Sequence, residues 1–376
     1  MIELEWLRLY RVQLALRTPF RSAESVQRKK DTYLIQLEAS DGATGWSEIS
    51  AQTDPSYWPE TVATCLEIIE HHLVAQLRRG FASAYEIHDA LVAVKGNQMA
   101  RASIEMAFFD LAARTTGVGL WYLLGAAPER THVSAGVSLS LNENVADLIA
   151  DLTASRAAGY RHVKIKIAPH HDTILAALTD YQDPSGHRIM DTLVLDANAS
   201  YASTNRGDLA SVDNLGVALL EQPLGEHDFV GHAELARHLR TPIGLDESIA
   251  GVDDVMTALQ LGMRPTINLK PSRVGGYVES LRIIERCQRE GLHLRIGGML
   301  ETGIGRAHNL ALASHAAFDR VGDLAASDHY FAKDITPAFA LEPDGTIARP
   351  DGTGLGVVPD SAWLAEVPCR EIRIRY

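Results

Sequence analysis

Only three cysteines, Cys65, Cys287 and Cys369, stand in the 376 residues, far apart along the chain. They cannot build a disulfide framework or a paired zinc site, so a reduced intracellular setting is expected. Basic charge is also short: 35 Lys and Arg against 48 Asp and Glu leave a formal charge of -13. A nucleic-acid binder must neutralise phosphates with clustered Lys and Arg, and Lys29-Lys30 is too short a run to do so. No apolar run approaches the ~20 residues of a membrane span. The opening Met1-Ile2-Glu3-Leu4-Glu5-Trp6 alternates like a strand and lacks the basic-then-apolar form of a signal peptide. A cytoplasmic protein is expected, without nucleic-acid or membrane partners. The remaining composition, 46% hydrophobic and 22% charged, suits a soluble enzyme with a large core.

The first part of the chain reads as α+β. Residues 2–12, 33–38 and 45–49 have strand patterns, the last two joined through Asp41-Gly42, a hairpin signal. Helical patterns follow over 59–79, 83–94 and 99–115, the third ended by Gly117 and Gly119. Glu105 and Asp110 inside that third helix are expected on its surface, solvated or paired. The polar segment 18–30 between the first two strands is expected to be a loop, either one that covers a site, as a lid does, or a mobile surface loop.

From Thr131 onward strands and helices alternate. Strands are expected at 133–139, 163–167, 192–196, 217–221, 242–246, 266–270, 293–297 and 320–324, with helices such as 145–158, 232–239, 252–261 and 278–290 between them. Eight such units predict a parallel barrel. A doubly wound sheet would gather its site at one crevice instead of at the ends of five successive strands. Gly303-Ile304-Gly305 is no dinucleotide loop, since His308 takes the third glycine position and no strand precedes it. The expected division is a cap over 1–125, a barrel over 126–337, and a tail over 338–376 that folds back onto the cap.

Chemistry gathers at the ends of these strands. In Val163-Lys164-Ile165-Lys166-Ile167 alternate side chains share a face, so Lys164 and Lys166 point the same way, about 7 Å apart. Two lysines on the wet face of an edge strand would be unremarkable, but three later apolar runs end in a carboxylate, Asp196, Glu221 and Asp246, and a fourth ends in Lys270. The steps, 196 to 221, 221 to 246 and 246 to 270, are 25, 25 and 24 residues, one barrel unit each. One such acid could simply cap the next helix. Three in register between lysines supply hard oxygen ligands for Mg²⁺, with Mn²⁺ as a substitute, and the absence of His and Cys there argues against zinc.

A divalent ion with open positions can hold a substrate carboxylate and stabilise the enediolate left when the adjacent proton is removed. The base must be a neutral amine, and a like charge on the same face together with the ion favours that state. This gives Lys164 a role beside Lys166, with Lys270 across the ring as acid, second base or cation. A metal-free Schiff-base aldolase on the same barrel would leave the three acids without purpose.

Lys164-Ile165-Lys166, Asp196-Ala197-Asn198, Glu221-Gln222-Pro223, Asp246-Glu247-Ser248 and Leu269-Lys270-Pro271 resemble the enolase superfamily, muconate-lactonizing subgroup. The resemblance implies a modified TIM barrel, (β/α)7β, with an N-terminal α+β capping domain completed by the C-terminal tail. It also implies one Mg²⁺ on Asp196, Glu221 and Asp246, and Lys166 as acid/base. Lys270-Pro271-Ser272-Arg273-Val274-Gly275-Gly276, Gly297-Gly298-Met299-Leu300-Glu301-Thr302-Gly303 and Ala326-Ser327-Asp328 are similar to the branch of o-succinylbenzoate synthases and N-succinylamino acid racemases. That likeness implies substrate contacts from Asn198, Arg273, Gly298, Met299, Ser138 and Phe20, a small-molecule carboxylate substrate, and a homo-oligomer. Two departures, Ser272 and Arg295-Ile296, bear on the acyl pocket. Cycloisomerisation and dipeptide epimerisation remain sister activities, although Asp323-Leu324-Ala325 lacks the second acid that dipeptide epimerases tend to carry.

Overall fold

The computed structural model describes residues 1–23, 25–181, 189–202 and 206–374. The chain opens with β1 (Leu4–Arg21), β2 (Val26–Ala39) and β3 (Thr44–Glu48). Along β1, Leu4, Leu7, Leu9 and Val12 are buried in the same core as residues of the helices Val62–Ile68, Ala84–Leu91 and Gln98–Thr116. Gly45 is required where β3 crosses the last of these helices, because a side chain there would strike the backbone of Ala107 and Leu111.

After the short β4 (His132–Ser134) come β5 (Gly136–Leu139), β6 (His162–Lys166), β7 (Leu193–Asp196), β8 (Leu219–Glu221), β9 (Ile243–Leu245), β10 (Thr266–Leu269) and β11 (Leu294–Ile296). The seven strands from β5 to β11 pair in sequence order in one sheet, and every pairing is parallel. Helices connect them, and the whole is a modified TIM barrel with an antiparallel N-terminal sheet and its helices attached.

Two expected strands differ. The run 133–139 breaks at Ala135, whose N–H donates to the Gly345 carbonyl at 2.9 Å. Its first half, β4, pairs instead with β12 (Thr346–Ala348) from the tail. The eighth barrel strand, expected at 320–324, closes the ring without a regular ladder. Its Arg320 and Asp323 N–H groups donate to Leu294 and Ile296 carbonyls at 3.0 and 2.9 Å, and Leu324 accepts from Gly136 N–H at 3.3 Å. Gly322 and Gly136 press the three backbones together here, closer than a Cβ permits. The tail ends in β13 (Cys369–Arg373), which pairs antiparallel with β1.

The segment 18–30 is mostly not a loop. β1 and β2 continue through it as a hairpin, with a register shift between Ala15 and Phe20 and a turn closed by Ser22 N–H donating to the Ser25 carbonyl; Glu24 lies outside the described residues. The hairpin leans over the barrel: Arg17 donates to the Asp328 carbonyl at 3.2 Å, and Arg21 accepts from Leu141 N–H at 2.9 Å. Alternating short polar and apolar residues can pair as a strand as readily as they form a loop, and the partner strand decides between the two.

Glu105 and Asp110 are not on a helix surface. Both are fully buried, Glu105 between His88 and the N–H of Val278, and Asp110 accepting from Trp46 N–H, Leu355 N–H and Arg114. The helix carrying them lies between the N-terminal sheet and the barrel, so its outer face has no water to meet. His308, in the helix Gly303–Ala313, ties the same layers, bonding the Tyr277 hydroxyl at 2.6 Å and the Trp46 carbonyl at 2.8 Å.

Burial, aided by the Arg114 charge, lowers His308 from 6.5 to about 4. Between these values the unfolded chain takes up a proton that the folded chain refuses. His308 therefore supports folding fully above pH 6.5 and loses roughly 3 kcal/mol of that support as pH falls to about 4. In His308→Gln the stability gap to wild type is expected to narrow by about that amount from neutral to acid pH. Urea unfolding across the range checks it, and a gap independent of pH would contradict it.

Candidate active site

Lys166, Asp196 and Glu221 are the last residues of β6, β7 and β8, and Asp246 and Lys270 immediately follow β9 and β10. The register sets them side by side: Lys166 opposite Asp196, Asp196 opposite Glu221, and Glu221 opposite Gly244. Between the two lysine-bearing strands lie β7, β8 and β9. In a ring of eight staves that separation puts Lys166 and Lys270 across the mouth from each other, with the three acids along the arc between.

All three carboxylates are fully buried, and cations surround them. Lys166 Nζ donates to Asp196 Oδ2 at 2.7 Å, and Lys270 Nζ to Asp246 Oδ2 at 2.8 Å. Lys164 Nζ lies among Asp196, Glu221 and Asp323 at 2.9, 2.8 and 2.6 Å. Arg295 joins Glu221 Oε2 to Asp323 Oδ1, and Arg273 holds Asp246 Oδ1. Burial alone would raise Asp196 and Asp246, but Lys164 and Lys166 on one, and Arg273 and Lys270 on the other, hold them well below the usual carboxylate range. Burial dominates at Glu221, with Asp196 and Asp323 adding to it, and raises it to about 7. Burial alone would lower Lys164, yet Asp196, Asp323 and Glu221 hold it well above the ordinary lysine value.

The expected cage of three acids is therefore not preformed. Among the described residues no group of three His, Cys, Asp or Glu side chains converges as metal ligands do, because each carboxylate is turned to an ammonium or guanidinium. The donor set nevertheless fits a hard divalent ion. It consists of buried carboxylates, and two further buried oxygens beside it, Asn198 Oδ1 and Glu247 Oε2, have no hydrogen-bond partner. Asp196, Glu221 and Asp246 would hold the ion.

A cleft opens above them. Phe20, Ser138, Asn198, Gly298 and Met299, all expected at the substrate, line it together with Lys164, Lys166 and Lys270. Arg273, also expected at the substrate, is not part of this lining. Its guanidinium is fully buried, used by Asp246, the Tyr57 hydroxyl and the carbonyls of Ile249 and Asn268. Ser272 and Arg295-Ile296 are also absent from the cleft wall.

Sequence reasoning passed over Tyr57 and gave Arg295 and Asp323 no place in the ring of charges. Asp323 ends an apolar run as the other acids do, and Arg295 takes the inward position between Leu294 and Ile296, so both carried a signal. Tyr57 carried none. Arg295→Met is expected to cost about 3–5 kcal/mol of stability, since it leaves Glu221 and Asp323 oxygens buried without their donor. Denaturant unfolding measures this, and a loss under about 1 kcal/mol would show the bridge to be dispensable.

Residues 6–125 match the mandelate racemase/muconate lactonizing enzyme N-terminal domain, and residues 147–363 match the enolase C-terminal domain-like family. The chain belongs to the enolase superfamily. Within this superfamily it is 37% identical to the o-succinylbenzoate synthase of Bacillus subtilis, covering 95% of this chain and 94% of that one. It is also 37% identical to the N-succinylamino acid racemase of Thermus thermophilus, over 92% of each chain. A solved enolase-superfamily structure from Listeria innocua superposes with a TM-score of 0.92 at 35% identity over the full length of both chains. No helix among the described residues is long and apolar enough to cross a membrane.

Proposed function

We propose that this enolase-superfamily enzyme removes the proton alpha to a carboxylate with the help of Mg²⁺, acting as an o-succinylbenzoate synthase, an N-acylamino acid racemase, or both. The observation that carries this reading is the placement of Lys166 and Lys270 on opposite staves of the cleft with Asp196, Glu221 and Asp246 between them. When bound, the ion supplies charge stabilisation for the carboxylate as it gains electron density.

In racemisation, Lys166 takes the alpha proton from one face of an N-acylamino acid, and Lys270 gives a proton to the same carbon from the other face. The reverse transit exchanges their roles. In dehydration, Lys166 takes the alpha proton and returns it to the departing hydroxide, so that water leaves. Lys270 then lies over the forming aromatic ring as a cation. Lys164, kept charged by three carboxylates, is no base in either reaction but balances the acids. Phe20, Ser138, Gly298 and Met299 line the remainder of the substrate space, and the hairpin carrying Phe20 shields it from water.

Both reactions pass through one enediolate, so substrate choice rests on the cleft wall. The test is a side-by-side assay of purified protein with the cyclohexadiene acid of the synthase reaction and with N-succinyl-L- and -D-amino acids, with Mg²⁺ present. Turnover of either class with hydrogen exchange at the alpha carbon is the expected result. Turnover of neither, or inactivation by borohydride with substrate in EDTA, would overturn the proposal.

A further inference from the structure

The loop between β3 and the helix Val62–Ile68 is pinched at its base, where Gln52 bridges Thr61 and Val62 N–H donates to the Gln52 carbonyl at 2.8 Å. From this closed loop Tyr57 reaches across to the barrel and lines the cleft. Its hydroxyl accepts from Lys270 Nζ at 2.7 Å and from Arg273 Nη1 at 2.8 Å. The same ammonium lies 4.7 Å from the centre of the Tyr57 ring, and Trp58, next in the loop, lies 5.8 Å from the Arg273 guanidinium. Each amine also has a barrel carboxylate, Asp246 at 2.8 Å from Lys270 and Asp196 at 2.7 Å from Lys166, and the loop adds its hydroxyl as a second acceptor at Lys270.

We propose that Tyr57 is a positioning residue for Lys270, through which the N-terminal loop aims one of the two opposed amines and so sets the balance between the two faces of the alpha carbon. The proposal rests on the two-base reading above. A lysine side chain has four rotatable bonds, and its amine donates in any of several directions unless an acceptor fixes it. Arg273 fixes the acceptor in turn, because it holds the same hydroxyl from below and is itself immobilised by Asp246 and two carbonyls. A misplaced proton-transfer partner loses rate steeply with distance, so removal of the hydroxyl should slow the Lys270 face and spare the Lys166 face.

The experiment is deuterium exchange at the alpha carbon of N-succinyl-L-phenylalanine and, separately, of its D enantiomer in D₂O, with the magnesium-loaded protein. Lys166→Ala and Lys270→Ala identify which enantiomer presents its hydrogen to which lysine. In Tyr57→Phe the ratio of the two exchange rates is expected to shift at least about tenfold against the Lys270 face, with the melting temperature unchanged. Tyr57→Leu, which also removes the ring above the amine, is expected to shift it further. Parallel loss for both enantiomers, an unshifted ratio, or a shift in Tyr57→Leu alone would overturn the role of the hydroxyl. Wild-type exchange of one enantiomer only would sink the two-base reading itself, a failure distinguishable from these.

Discussion

Lys166→Ala is expected to abolish both dehydration and racemisation, with a loss of at least about 10³- to 10⁴-fold in kcat. Lys166 ends β6 at the cleft, and the neighbouring amine cannot replace it. Lys164 is surrounded by Asp196, Glu221 and Asp323, which keep it charged. Exchange should survive for the one enantiomer whose hydrogen faces Lys270, since that amine sits on the opposite stave. Polarimetry on N-succinylamino acids and ring formation from the synthase substrate measure the loss. A decrease smaller than about tenfold would mean that another group serves as the base.

Chelation of divalent metal is expected to eliminate turnover and to leave the fold intact. The two effects separate because each acid has a protein cation to pair with: Asp196 has Lys164 and Lys166, Glu221 has Lys164 and Arg295, and Asp246 has Lys270 and Arg273. Loss of the ion therefore does not leave bare buried charges, which is the circumstance that destabilises a core. Mg²⁺ at a hundred times its Kd should add only about 2.7 kcal/mol by mass action. Calorimetry and near-ultraviolet circular dichroism in EDTA and after Mg²⁺ addition test both halves. Undiminished turnover in EDTA, or an apoprotein without fixed tertiary structure, would contradict this picture.

The barrel and the ring of acids and lysines at its strand ends were legible because the fold repeats. A step of 24 or 25 residues returns the chain to the same end of the sheet, so Asp196, Glu221, Asp246 and Lys270 announced themselves by spacing alone. The alternation in Lys164-Ile165-Lys166 likewise fixed which side chains share a face. What spacing does not carry is the identity of cross-barrel partners. Arg273 lies three residues after Lys270, and spacing did not show that its guanidinium is shared by Asp246 and the Tyr57 hydroxyl. Arg295, expected to bear on the acyl pocket, instead braces Glu221 and Asp323. Glu105 and Asp110 sit on a helix whose outer face is covered by a second layer, and no local pattern reveals a layer formed by residues more than 150 positions away. The same holds for the eighth stave, where Gly136 and Gly322 let backbones approach more closely than a Cβ permits, and for the hairpin over 18–30, where β1 and β2 pair beyond the expected strand ends.

A crystal structure with Mg²⁺ and an N-succinylamino acid tests most directly whether a divalent ion sits between opposed amines. The predicted result is one ion within about 2.0–2.1 Å of oxygens from Asp196, Glu221 and Asp246, with Lys166 and Lys270 released from those acids and lying on opposite sides of the alpha carbon. An ion bound elsewhere, or lysines still paired to the carboxylates with substrate in place, would contradict it.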